Sequence, residues 1–253
     1  MFARLFTDSR FLVSYSAFVT IVFAVSVYTG LIGAAQGAGK VAEFDRLRVH
    51  RVDVVEPDGT PRLIISDRAK YPGSFYHGHE IERADRRDSA GMLFINDEGT
   101  EDGGLIFGGA TSEGKRSSFS HLSFDQYEQD QTVVMGTALF PDGSRSAGIE
   151  LDDRPDQPIT PEDFTEAEKI KAMPHGDARA AAWSAYQKKH PVGEERASLV
   201  RNLDGSVGLS LKDQQGRVRL KLTVAKDGEP AVELLDEKGQ VRRKISIENS
   251  SEK

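Results

Sequence analysis

The 253 residues contain no cysteine, which excludes disulfides, thiolate metal sites and thiol nucleophiles while leaving the compartment open. The familiar signatures of catalysis and cofactor binding are missing as well. Gly103-Gly104-Leu105-Ile106-Phe107-Gly108-Gly109 has the glycine content of a phosphate cradle, but no lysine with serine or threonine completes a P-loop, and no βαβ pattern surrounds it. Glycines flanking a short apolar strand more often mark bulges or close backbone packing. Serine, histidine and aspartate occur without a Gly-x-Ser-x-Gly elbow, so a hydrolase triad has no support. Basic charge is scarce. Setting aside Arg4, Arg10 and Asp8 from the 33 basic and 40 acidic residues leaves 31 and 39, a net of −8. Nucleic acid is therefore not an expected partner: the two basic clusters, Arg217-Arg219-Lys221 and Arg242-Arg243-Lys244, are short and lie on expected strands.

Charge is also absent from Phe11 to Gly39. As a helix, residues 11–35 would extend about 37 Å, enough to cross the hydrocarbon core of a bilayer. Tyr15 and Tyr28 stand toward opposite ends of the run, as interfacial aromatics do. A cleaved signal peptide is the rival, with Arg4 and Arg10 as its basic region and Gly33-Ala34-Ala35 before the cut. Its apolar core would span only about 7–15 residues, so a retained signal-anchor is expected. Lys40, Arg46, Arg48 and Arg51 follow the run, and a bare positive-inside count favours a cytoplasmic C-terminal domain. Because Arg48 and Arg51 are expected inside a strand, and a short basic head commonly enters as an anchor, the soluble part is expected outside the cytoplasm.

That soluble part reads as β-hairpins. Asp204-Gly205-Ser206-Val207-Gly208-Leu209-Ser210-Leu211-Lys212-Asp213 aligns with Asp227-Gly228-Glu229-Pro230-Ala231-Val232-Glu233-Leu234-Leu235-Asp236, and the register continues through Gly216 with Gly239 and Arg219 with Arg242. Each unit is strand, turn, strand, turn. Apolar residues alternate, as in Val207, Leu209 and Leu211, the period of a sheet with one buried and one wet face. Asp-Gly at 58–59, 142–143, 204–205 and 227–228, with Glu98-Gly99 and Lys238-Gly239, supplies the positive φ of tight hairpins. Further strands are expected at Val52–Val55, Arg62–Ser66, Met92–Asn96, Leu105–Phe107, Ser118–Phe124 and Thr132–Leu139. Residues 67–90 read as a long polar loop.

One segment breaks the pattern. Thr160 followed by Pro161 is an N-cap with proline at the first helical position, opening a helix to about Ala172. A second helix is expected from Asp177 to Lys189, ended by His190-Pro191 and carrying Trp183 on a narrow apolar stripe.

Two clusters are candidate sites. His77-Gly78-His79-Glu80, with Asp85 or Asp88, offers imidazoles and carboxylates, but its spacing matches no recognised zinc motif and its glycine points to a loop. Asp125, Glu128 and Asp130 are dense enough for a calcium site or a pair of glycosidase acids; they equally suit a wet turn beside Phe124 and Tyr127. No catalytic, cofactor-binding or metal residue is assigned.

The Asp-Gly hairpin cycle of 204–247, with Gly91-Met92-Leu93-Phe94-Ile95-Asn96-Asp97-Glu98-Gly99 and the glycine-flanked strand at 103–109, resembles bacterial proteins of no known activity that place such repeats behind an N-terminal membrane helix. The resemblance implies fold and membrane association and carries over no catalytic residue. The expected architecture is mainly β: serial antiparallel β-hairpins with an inserted helical hairpin, preceded by one transmembrane helix. Its parts are a basic head at 1–10, the anchor at 11–35, an N-terminal β region at 40–158, the helical hairpin at 159–191, hairpin repeats at 196–248 and a frayed tail at 249–253. The expected partners are the bilayer, through residues 11–35, and a protein or a second copy. The expected role is a binding or structural module of the cell envelope, with a carboxylate-dependent hydrolase as the alternative.

Overall fold

The computed structural model describes residue 13 and residues 15–27, 41–83, 86 and 89–246. The chain divides into two compact units, Met1–Arg48 and Val49–Lys253. In the first, residues 15–27 are helical (α1) and their described side chains are exposed. Among the described residues no helix is long and apolar enough to cross a membrane; residues 11, 12, 14 and 28–35 of the expected anchor lie outside them, as does the expected tail. Arg48 falls in irregular chain before the first strand, so of the two arginines expected in a strand only Arg51 is in one.

The second unit is mainly β. Its strands are β1 (Arg51–Val55), β2 (Pro61–Ser66), β3 (Ser74–Tyr76), β4 (His79–Ile81), β5 (Gly91–Ile95), β6 (Glu101–Ser112), β7 (Lys115–Asp125), β8 (Gln131–Leu139), β9 (Arg145–Asp153), β10 (Glu194–Arg201), β11 (Val207–Lys212), β12 (Val218–Val224), β13 (Pro230–Leu235) and β14 (Val241–Ser246). Twelve of them form one antiparallel sheet in the order β1-β2-β5-β6-β7-β8-β9-β10-β11-β12-β13-β14, and β3 pairs with β4 apart from it. Two helices, α2 (Pro161–Lys171) and α3 (Asp177–Lys189), lie between β9 and β10. Because those two strands are neighbours in the sheet, the insertion interrupts the sequence but not the ladder.

The meander follows from a turn used seven times. In 56–60, 96–100, 140–144, 202–206, 213–217, 225–229 and 236–240, the first N–H donates to the fifth carbonyl, and the N–H of the fourth residue donates to the first carbonyl. The fourth residue is always glycine, at φ between 69° and 96°, the left-handed position that closes a three-residue hairpin loop. A carboxylate or amide fixes each loop from one of two places. Asp58, Asp142, Asp204 and Asp227, just before the glycine, accept from the N–H two residues on. Asn96, Asp213 and Asp236 open their loops and accept two N–H groups each. The two kinds alternate through the last four turns, which is the structural content of the sequence repeat. Asp213 is drawn down to about 2 against burial, chiefly by the N–H and guanidinium of Arg217.

Two corrections concern the N-terminal half. The expected loop at 67–90 contains a 3-10 turn, Arg68–Lys70, and the hairpin β3–β4, whose strands are too short to show a period. The strand expected at Leu105–Phe107 extends over all of β6, because its glycines pack against neighbouring backbone: a Cβ on Gly103 would lie 2.3 Å from the Ser123 carbonyl oxygen and one on Gly104 2.6 Å from that of Met92.

Candidate functional site

The cross-strand register places an apolar residue in every one of the twelve strands along a single line: Val52, Ile65, Met92, Leu105, Leu122, Met135, Ile149, Leu199, Leu209, Leu222, Val232 and Ile245. A parallel line on the same face runs from Val54 and Leu63 through Phe94, Phe124 and Leu151 to Leu211, Leu220 and Leu234, and reaches a charge only at Arg243 in β14. Within it Gly103 separates Phe94 from Phe124. Their rings stack above that glycine at 6.0 Å and 22°, covering the gap that its missing side chain leaves.

The opposite face has a different chemistry. Gly104, Ser123, Val134, Glu150, Ser198, Ser210, Lys221, Glu233 and Lys244 share one line, and Lys244 Nζ stands 3.3 Å from Glu233 Oε1. The buried core sits on this mixed face, where Ile64 and Leu93 meet Ile95 and Phe75 of β3. Farther along the sheet no hydrophobic side chain of β10–β14 is buried. The alternation legible in the sequence is therefore present, but the apolar face it was expected to bury is open: Ile149, Leu151, Leu199, Leu211, Leu222 and Leu234 are 37–50% exposed. A groove of about 420 Å³ runs over it between Leu199, Leu209, Leu222 and Ile245.

A second, smaller feature lies where three turns meet. In the β3–β4 turn, His77 and Gly78 both take positive φ, 46° and 78°, as a two-residue hairpin requires. The N–H of Gly78 donates to the Gly99 carbonyl at 2.9 Å. Any Cβ on Gly99 would fall 2.4 Å from Gly78 N, so glycine is what lets the β5–β6 turn abut it. His77 Nε2 is then 2.7 Å from Glu128 Oε1 and Nδ1 4.0 Å from Glu98 Oε2, and the Tyr127 hydroxyl donates to Glu98. One imidazole and two carboxylates with ligand atoms within 4.8 Å form a set of the kind that binds zinc, here with Glu128 paired to the imidazole and Glu98 to Tyr127. The expected His77-His79-Glu80 grouping is not formed: Glu80 accepts from Gly73 N and His79 is exposed. Asp85 and Asp88 lie outside the described residues.

Asp125, Glu128 and Asp130 also separate. Asp130 Oδ1 accepts from Gln131 N within its own turn, while Glu128 faces His77. Asp125 lines a cavity of about 260 Å³ with Arg86, Glu101, Glu128 and Asp130. Its Oδ1 is buried without a hydrogen-bond partner, and burial, then the charges of Glu101, Asp130 and Asp102, push its pKa up to about 8 against the pull of Arg86. Glu101 itself is held bidentately by Arg86 at 2.6 and 3.0 Å. The amides of this segment have a structural task that sequence reasoning missed: Gln126 and Gln129 donate to the carbonyls of Pro155 and Gln157, and Ile159 N donates to the Glu128 carbonyl. These bonds dock the chain leading into α2. The 126–130 turn makes the same two backbone bonds as the seven glycine turns, but its positive φ falls on Glu128 (52°), so its fourth residue, Gln129, need not be glycine. The capping box of Thr160 and Asp163 then starts the helix.

In the Asp163, Glu166 and His190 cluster both carboxylates have partners from outside it, Asp163 in Thr160 and Glu166 in Lys189 at 2.9 Å. Comparison with known proteins returns no matching family model and no match among curated proteins.

Proposed function

We propose that this chain is a membrane-tethered docking module: a single-pass N-terminal anchor over residues 11–35 holding, on the outer side of the membrane, a β-sheet whose apolar face is its binding surface. The observation that carries the reading is the line of apolar residues that crosses all twelve strands on one exposed face of the sheet. Monomeric soluble proteins rarely leave apolar patches larger than a few hundred Å² uncovered, and larger ones are sites of contact. The charge-free run from Phe11 to Gly39 supports the tether. Fusing after Lys253 a reporter that is active only outside the cytoplasm, and separately one active only inside, tests side and retention together. Outside activity that stays with the membrane pellet is the expected result; inside activity, or release into the soluble fraction, contradicts the reading.

One observation favours a second reading, a tethered hydrolase: the uncharged Asp125 carboxyl in its cavity has the protonation state of a general acid. Its neighbours Glu101 and Glu128 are engaged by Arg86 and His77, so the docking reading stands first. Full biological activity after converting Asp125, Glu128 and Asp130 to alanine removes the hydrolase.

A further inference from the structure

The docking reading leaves open what covers the apolar face, and the covering layer is constrained by folding as well as by binding. A sheet with one apolar face is stable only when a second layer packs on it. In β10–β14 no hydrophobic side chain is buried, and the buried hydrophobic residues of the described chain are only Ile64, Phe75, Leu93, Ile95 and Ile170. This half of the sheet thus lacks a core of its own, so its second layer must be present wherever the chain folds.

We infer that the layer is a second copy of this chain, its apolar face packed against the first. A copy is available at fixed stoichiometry on the same membrane. The two surfaces also match by construction, because a two-fold contact asks a face only to complement itself. This face meets that demand: along β9–β13 it presents aliphatic side chains at the two-residue period, with a charge, Arg201, at the end of β10, where its guanidinium donates to the Arg145 and Asn202 carbonyls, and two such sheets interdigitate at about 10 Å with their strands nearly aligned. The groove between Leu199, Leu209, Leu222 and Ile245 is where side chains of the other copy seat. The area is sufficient. At the exposures of Ile149, Leu151, Leu199, Leu211, Leu222 and Leu234, with the partly covered side chains between them, each copy offers on the order of 800 Å², the share of one partner in a standard stable interface. The mixed face, with Glu150, Lys221, Glu233 and Lys244, stays in water.

The inference rests on the docking reading, and its test separates the two. Since the natural chain has no cysteine, single cysteines report cleanly. Leu199→Cys, Leu209→Cys and Leu222→Cys on the apolar face are compared with Ser198→Cys, Ser210→Cys and Lys221→Cys, one residue away on the other face, by mild oxidation of native membranes. The mass of the unsubstituted full chain is measured in parallel after gentle extraction, so that no outcome depends on a variant that fails to fold. A native mass of two copies is expected, with disulfide-linked pairs from whichever apolar position lies nearest the two-fold axis and none from the other face; two copies with no pair from any apolar position place the contact elsewhere and overturn the inference. Pairs from both faces alike report random collision and overturn the inference. One copy bound to a different polypeptide overturns it while leaving the docking face intact. One copy alone, with its sheet intact by circular dichroism, overturns both.

Discussion

Replacing Asp125 by asparagine tests the electrostatics of the turn cluster. The carboxyl is pushed from 3.8 to about 8, first by burial and then by Glu101, Asp130 and Asp102, with Arg86 opposing. A carboxyl raised on folding binds its proton more tightly in the native chain, so its favourable contribution is complete below pH 3.8. That contribution declines as pH rises and is gone once pH passes about 8. The slope is about 1.4 kcal/mol per pH unit, and over the interval the decline amounts to roughly 6 kcal/mol. Asparagine has the same shape and no titration, but a side-chain polar atom buried without a partner, as Asp125 Oδ1 is, costs about 1–3 kcal/mol. The variant should therefore be less stable than the natural chain near pH 4, overtake it between about pH 4.5 and 6, and lead by a few kcal/mol at pH 8, with no further change above. Urea unfolding of both chains in one detergent, followed by circular dichroism from pH 4.5 to 9, measures the difference directly and cancels the other carboxylates. A difference that stays flat across this range would show an ionised, hydrated Asp125 and refute the reasoning.

Four other outcomes follow from the geometry. Gly99→Ala places a Cβ 2.4 Å from Gly78 N at a φ of +78° and should cost about 2–4 kcal/mol, read as a lowered unfolding midpoint; Gly228→Ala, with open space around it, should cost only its backbone strain, about 1–2 kcal/mol. Thr160→Ala removes one side of the α2 capping box and should cost about 1 kcal/mol, seen as faster hydrogen exchange in α2. Leu199→Ala, at a site 50% exposed in the single chain, should nonetheless cost about 2–5 kcal/mol, as for a core leucine, with a midpoint that rises with protein concentration.

Much of the fold was legible because it is local. The Asp-Gly turns, the 23-residue cycle, the Thr160-Pro161 helix start and the span of α3 each depend on residues a few positions apart. What was missed depends on distance along the chain. Strand β9 carries Ala147, Ile149 and Leu151 on one face, an alternation that was readable but is broken up by Gly148, which is needed there because a Cβ would lie 2.8 Å from the Leu199 carbonyl oxygen. Strands β3 and β4, three residues each, are too short to have a period. The meeting of His77 with Glu98 and Glu128 joins turns 21 and 51 positions apart in the numbering, and no spacing rule connects them. Alternation does show which side chains share a face, yet it cannot show whether the chain itself covers that face.

The covering of that face is best tested by the rate at which a membrane-impermeant maleimide labels Leu199→Cys and Ser198→Cys, with the soluble domain accessible. In the single chain Leu199 is exposed and Ser198 only half-buried, so an uncovered sheet would label faster at 199. A docked apolar face predicts the reverse, with position 199 protected and position 198 reacting freely. Labelling that follows the single-chain exposures contradicts the account.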